Sequence, residues 1–408
     1  MGEFDFADIT PTSDFMTDSV SESLHKKPRR LQIVFLATGA FAVPSMRALC
    51  ESGLYEIVCL VTNPQKHDRS GCPIITPARR FAEQYNIAIS EKEDVHSQEF
   101  FDFIYLVRPD LLFVCDFGQI LSQGVLKGPL LGGINLHGSL LPKYRGAAPV
   151  HWAIMNGETI TGVSVIHMTP QVDAGPVIAQ SAPIPIGPRE TVGQLEERLA
   201  EYGAELIFDV VQKMACNEDV RIIPQIHAKA SKAPRLKKQS GLVDWTLSSK
   251  NIFNNFRAMS LWPKFFTDWL REDGSTLRLI LDSLDPLNDE LRDLIVEDFS
   301  DPVYVEPVLT DAKMENLAVL RSRWVDSSSN MEKPRHDLRR FSRRPSWWLP
   351  GTVIRAREDE LIVAAGEGAL RINRLQPVGK KIMDAIDFLR GYPIKQGDRL
   401  GSFDVRND

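Results

Sequence analysis

No apolar run in this sequence approaches the roughly 20 residues that a membrane-spanning helix requires. Cysteine is scarce: Cys50, Cys59, Cys72, Cys115 and Cys216 are five among 408 residues, and no two form a C-x-x-C pair. Three of them lie beside apolar runs, which predicts buried free thiols in a reducing compartment rather than disulfides or metal ligands. The eight histidines are scattered without zinc-type spacing, so no metal is expected. An excess of positive charge is also missing, and the formal net charge of −6 excludes a uniformly basic nucleic-acid coat while leaving room for local patches. The first thirty residues lack the apolar core of a signal peptide, and their mixture of acids and bases is unlike a transit peptide. A disordered tail over 1–30 and a cytoplasmic protein of bacterial type are therefore expected. A further absence matters more. The first turn reads ATGAFAVP around Gly39, without G-x-G-x-x-G, and the second strand ends in Thr62-Asn63, where a ribose-binding acid would stand. That excludes a dinucleotide enzyme.

What the chain does contain is 43% hydrophobic and 25% charged residues, the balance of a globular protein with a sizeable core. Its length suits two or three domains. Leu31–Leu36, Ile57–Val61 and Leu111–Cys115 are continuous apolar runs, as in strands covered on both faces. Helical patterns lie between them: Pro44 to Ser52, Pro77 onward, and Glu99 to Val107. Strand alternating with helix predicts a doubly wound, mostly parallel α/β sheet, with ligands at the carboxyl ends of its strands. Thr191 to about Cys216 reads as one long helix, with Leu195, Leu199, Leu206 and Val210 at helical spacing.

The stretch around which these elements are arranged is Gly132 to Pro149, GGINLHGSLLPKYRGAAP. In the strand Gly133–His137 side chains alternate, so Asn135 and His137 project from one face while Ile134 and Leu136 bury. A Gly- and Pro-rich loop follows at once, where backbone can approach a ligand closely. An amide beside an imidazole can hold an oxygen that becomes negative and can also move a proton. Downstream, Asp173 stands on the Gly/Pro-bracketed loop QVDAGP, from which its carboxylate could fold back onto His137. His151 and His167 read as structural histidines.

NLHGSLLPKYRGAAP and VDAGPV resemble the signatures of the formyltransferases that use 10-formyltetrahydrofolate. The resemblance runs from Leu31 to Gly401 and is greatest to the branch whose acceptor is methionyl initiator tRNA. It implies a Rossmann-like N-terminal catalytic domain, residues 31–223, holding folate, and a smaller OB-like β-barrel domain, 242–408, that helps hold tRNA. Its three catalytic positions fall on Asn135, His137 and Asp173. Asn135 and the His137 ring would then donate hydrogen bonds to the negative oxygen, while Asp173 orients His137 and helps take the proton of the attacking amine. Folate contacts are expected from Phe117, Gly118, Ser139, Leu140, Leu141 and Pro142. Arg145 should form part of the pocket rim in a structural role. The resemblance implies neither a metal nor a membrane partner, and the chain is expected to be a monomer.

For tRNA, local basic patches are needed. Candidates are Arg69, the basic linker 224–241 with Arg235, Lys237 and Lys238, and the pair Lys380 and Lys381. An insertion at about 285–345, ending in Arg335, Arg339, Arg340, Arg343 and Arg344, departs from the family. So do a weakly basic loop at 65–72 and Asp116-Phe117-Gly118 where Ala-Tyr-Gly is usual. Asn, His and Asp alone do not separate this acceptor from an amino-sugar nucleotide or glycinamide ribonucleotide, but the second domain, similar along its length to the tRNA branch, does; a catalytically silent RNA-binding relative is disfavoured by the presence of all three catalytic residues.

Overall fold

A computed structural model describes residues 30–218, 220–287, 349–358 and 360–402. The tail 1–29 and the arginines from 335 to 344 lie outside the described residues. The described residues build two seven-stranded sheets, one after the other, and a small two-stranded one. The first begins with β1 (Gln32–Ala37), α1 (Val43–Glu51), β2 (Glu56–Thr62), α2 (Pro77–Gln84) and β3 (Ile89–Glu91). It continues through α3 (Gln98–Val107), β4 (Leu111–Cys115), α4 (Gln123–Leu126) and β5 (Gly133–His137). After α5 (Pro149–Met155) and the short β6 (Ile160–Thr161) come β7 (Ser164–His167), β8 (Val177–Gln180), β9 (Ile184–Pro185) and α6 (Val192–Ala215).

The strand order is β3-β2-β1-β4-β5-β7-β8, parallel through β5 and antiparallel at β7 and β8. The chain moves outward from β1 to β3, then returns to β4 on the other side of β1. This reversal opens a crevice at the carboxyl ends of β1 and β4, the usual ligand position in such sheets. β4 is apolar throughout, and β1 from Ile33 onward, because helices cover both faces. Phe35 and Phe113 are fully buried, with ring centroids 4.3 Å apart. Thr191 opens α6 with a capping box to Gln194, and Leu195, Leu199, Ile207 and Val210 bury its inner face.

The second unit starts with α7 (Ser249–Ala258), then β10 (Phe265–Leu270) and β11 (Thr276–Leu287). It resumes with β12 (Val353–Arg357), β13 (Glu360–Ala364), β14 (Ala369–Pro377), β15 (Met383–Asp384), α8 (Ala385–Gly391) and β16 (Arg399–Gly401). Its order, β12-β13-β14-β11-β10-β16, is antiparallel, and a bridge between Thr352 and Arg399 brings the two ends together. Closure of this kind removes exposed edges. Trp245, Trp269, Leu281, Leu370 and Phe388 fill the interior. Arg257 of α7 donates to the carbonyls of Gly187 (3.0 Å) and Glu190 (2.8 Å), tying the barrel to the segment before α6.

All five cysteines are free, yet only Cys59 and Cys115 are buried; Cys50 is half-buried, and Cys72 and Cys216 are exposed. The expectation that three would be buried is thus corrected at Cys50, which sits on the outer turn of α1. Among the described residues no group of His, Cys, Asp and Glu is arranged to hold a metal, and no helix is long and apolar enough to cross a membrane.

Candidate active site

The pairing of β5 with β7 fixes the register in which Asn135 and His137 emerge together, opposite Ile166 and Ser164. Ile134 and Leu136 enter the core. Asn135 is half-buried and His137 buried, both facing a cavity of about 750 Å³ at the crevice. Asp173 reaches the same place from the loop between β7 and β8, its backbone in the left-handed region at φ 48°. Its carboxylate accepts from Gly146 N–H at 2.8 Å and from Asn135 Nδ2 at 3.4 Å. The linker secures this loop. Gln225 Nε2 donates to the carbonyls of Asp173 (2.8 Å) and Gly175 (2.6 Å), while Gln225 Oε1 accepts two bonds from Arg145. Arg145 is therefore structural.

The histidine ring is oriented from both sides. Nε2 lies 2.9 Å from the carbonyl oxygen of Tyr144, which can only accept, so Nε2 carries the proton. Nδ1 faces Asp173 Oδ2 at 3.7 Å. In the neutral ring Nδ1 holds a lone pair, and it can receive a proton but not stabilise an anion. With Nε2 donating to Tyr144, the ring can donate to a negative oxygen only through a protonated Nδ1, whereas Asn135 Nδ2 carries donor hydrogens without a protonation step.

Phe117 and Gly118 line the cavity, and so does Met168. Ser139, Leu140, Leu141 and Pro142 do not; they build the loop that supports His137. Ser139 Oγ donates to Lys143 O (2.6 Å), and Ser164 Oγ, donating to Ser139 O and accepting from Leu141 N, pins the loop to β7. Leu141 packs with Ile166 and Val177, Leu140 lies over Gly162, and Pro142 O accepts from Ser231 N.

The basic candidates separate. Arg235 lines the cavity, and its guanidinium stands so near Gly118 that a Cβ there would meet it at 3.0 Å. Lys237 and Lys238 are exposed farther along the linker, and Lys380 and Lys381 on the β14–β15 loop. Arg69 is exposed in a turn held by Asp68, whose Oδ1 accepts from the backbone of Ser70 and Cys72.

Several contributors had no clear sequence signal. Tyr144 acts through a backbone carbonyl and Gln225 lies inside a stretch that reads as linker. Glu196 of α6 lines the cavity but looks like any solvated helix glutamate. Asp116 faces the cavity too, at φ 54°, with its carboxylate where a side chain on residue 39 would be; a Cβ on Gly39 would lie 1.6 Å from Asp116 Oδ2. Although open to the cavity, Asp116 is crowded by protein on its other sides, which pushes its pKa up to about 6.

A doubly wound sheet with an amide, an imidazole and a carboxylate converging at its switch point, followed by a closed antiparallel barrel, is the organisation of a formyl transferase. Residues 31–211 match the formyl transferase family model, and 235–290 and 305–393 match that of the formyl transferase C-terminal domain. The chain belongs to the methionyl-tRNA formyltransferase family. It is 32% identical over 372 residues to the methionyl-tRNA formyltransferase of Moorella thermoacetica, covering 91% of this chain and 99% of that one. To the methionyl-tRNA formyltransferase of Rhodopirellula baltica it is 34% identical over 388 residues, covering 92% and 99%. Among solved structures, HypX from Aquifex aeolicus in complex with tetrahydrofolic acid superposes with a TM-score of 0.50 at 17% identity. The match covers 88% of this chain and 47% of HypX, so this chain spans about half its length, and the likeness is one of fold.

Proposed function

We propose that the chain transfers the formyl group of 10-formyltetrahydrofolate to the α-amine of methionyl initiator tRNA, with Asn135, His137 and Asp173 as the catalytic residues. The observation that carries this reading is the protonation geometry at β5. Nδ1 of His137 is a free proton acceptor beside a carboxylate, next to an amide donor in the same cavity. As the amine nitrogen bonds to the formyl carbon, the carbonyl oxygen gains charge, which Asn135 Nδ2 stabilises by about 3–4 kcal/mol, the usual worth of one such donor. The amine loses its proton to His137 Nδ1, and Asp173 balances the imidazolium. The same proton can return to the departing folate nitrogen as its bond to the formyl carbon breaks. Formylmethionyl-tRNA and tetrahydrofolate result, and the site returns to its starting protonation.

The cavity accommodates the folate on chemical grounds: Phe117 and Met168 form an apolar wall for a flat ring, beside the open backbone of Gly118. The second unit and the exposed lysines of the linker supply a surface for the acceptor. We read the working protein as a cytoplasmic monomer with a catalytic unit, residues 31–223, and a tRNA-binding unit, residues 242–408. The test is an acceptor panel at fixed folate donor: methionyl initiator tRNA, an amino-sugar nucleotide and glycinamide ribonucleotide. Formylation of the charged tRNA at a kcat/KM at least about a hundredfold above the others is expected, a difference of about 2.7 kcal/mol. Equal or greater use of a nucleotide sugar would overturn the acceptor.

A further inference from the structure

The reaction cavity is acidic for an enzyme whose acceptor is an RNA. Among the described residues, Asp116, Asp173, Glu196, Glu197 and Glu201 line it, against one permanent cation, Arg235. Asp173 is engaged with Asn135 and Gly146. The Asp116 carboxylate has no hydrogen bond or ion pair among the described residues. Among the described residues the one basic group paired with Glu196 is His151, whose Nδ1 lies 3.6 Å from Oε1, beyond hydrogen-bond length, and is buried without a hydrogen-bond partner. Asp116 comes from the end of β4 and Glu196 from α6, so two separate elements present unneutralised carboxylates to one space. The carboxylates sense each other: burial and the neighbouring Asp116 charge raise Glu196 to about 7.

Phosphates are repelled by such a wall, so the RNA backbone must remain outside and only the aminoacyl end enters. That end is the cationic part of the substrate, since an α-amine is largely protonated near neutrality. We propose that Asp116 and Glu196 receive the α-ammonium of the aminoacyl group and position it in the cavity ahead of its transfer to His137. This rests on the acceptor proposed above and adds a consequence to it. Formylation turns the ammonium into a neutral amide, so the product no longer interacts with the acidic wall and leaves more readily. The same wall favours an aminoacylated 3′ end over a bare one. The ammonium gives up one proton to bulk solvent to become the nucleophilic amine, and a second passes to His137 as that amine attacks, so Asp116 and Glu196 hold the group without taking a proton and are positioning residues.

The experiment compares equilibrium binding, without folate donor, of methionyl-tRNA, formylmethionyl-tRNA and uncharged initiator tRNA to the full chain. The parent should bind methionyl-tRNA about tenfold tighter than the other two, the worth of a charged hydrogen bond. Asp116→Asn and Glu196→Gln should each weaken methionyl-tRNA binding several-fold and leave the other two affinities unchanged, so the preference shrinks. Asp116→Glu and Glu196→Asp, which keep the charge, should retain most of it. An unaltered far-UV circular dichroism spectrum verifies that each variant is folded. A preference unchanged in both neutral variants, or equal losses for all three RNAs, would overturn the inference. If the parent formylates no charged tRNA, it is the acceptor reading that fails.

Discussion

His151 is a residue whose surroundings decide its charge. It lies on α5, mostly buried, and burial lowers its pKa from 6.5 to about 4. The folded protein therefore keeps it neutral at pH values where the unfolded chain takes up a proton. Its contribution to stability is complete above about pH 6.5 and is lost as pH falls toward 4, by at most about 3 kcal/mol. Asp116 and Glu196 act in the opposite sense: their raised pKa values favour the folded state at low pH and lose that effect as pH rises through about 6 and 7. Urea unfolding of the parent and of His151→Gln at pH 7 and pH 4.5 separates the histidine from the rest. The variant should lose less stability between the two pH values than the parent. Identical losses would mean that His151 is not held neutral.

Among elements, the linker between the two units does more than connect them. Ala233 N–H donates to Arg145 O, and Ser231 Oγ accepts from Tyr144 N, so the linker lies along the loop that follows His137. Gly146 makes this approach possible. At φ 127° it adopts backbone suited to glycine, and a Cβ there would lie 2.5 Å from Ala233 O. Lys237 and Lys238, farther along the linker, are exposed and free to meet phosphate. Replacing both by Ala should raise KM for charged tRNA several-fold and make log K less steep in log salt by about 0.7–0.9 for each phosphate no longer neutralised. Folate affinity should stay the same. A salt slope equal to that of the parent would make the two lysines merely solvated.

At this scale, too, one can see what the sequence disclosed. Asn135 and His137 were legible because strand alternation puts them on one face, and Asp173 because Gly175 and Pro176 mark its loop. The buried runs of β1, β2 and β4 were equally plain. The barrel was visible only in outline. β10 reads FFTDWL with five of six residues buried, so it shows no alternation to recognise, and its Asp268 is paired with Arg278 of β11 at 2.9 Å. β11 runs on to Leu287, well past the apolar stretch Leu277–Leu281, because two register shifts near Ser283 let polar residues stay in the ladder. Glu196 was hidden for a different reason. Its role depends on α6 turning that face toward a cavity lined from β4, β5 and β7, a tertiary fact that helix periodicity does not carry.

Taken as a molecule, the protein sets an acidic reaction cavity in one unit beside a barrel and a lysine-bearing linker that can meet a polyanion. Phosphate recognition is thereby separated from the chemistry, and loss of Lys237 and Lys238 should leave the transfer step intact. The account depends most on Asn135 stabilising the developing negative charge while His137 Nδ1 takes the proton. Single-turnover formyl transfer to methionyl initiator tRNA, with enzyme and folate donor saturating, measures that step apart from binding and product release. Asn135→Ala should slow it by about a hundredfold to a thousandfold, and His137→Ala by a similar or greater factor, while the affinities for folate and tRNA stay within about twofold of the parent, a difference of roughly 0.4 kcal/mol. A rate in either variant close to that of the parent would contradict the account.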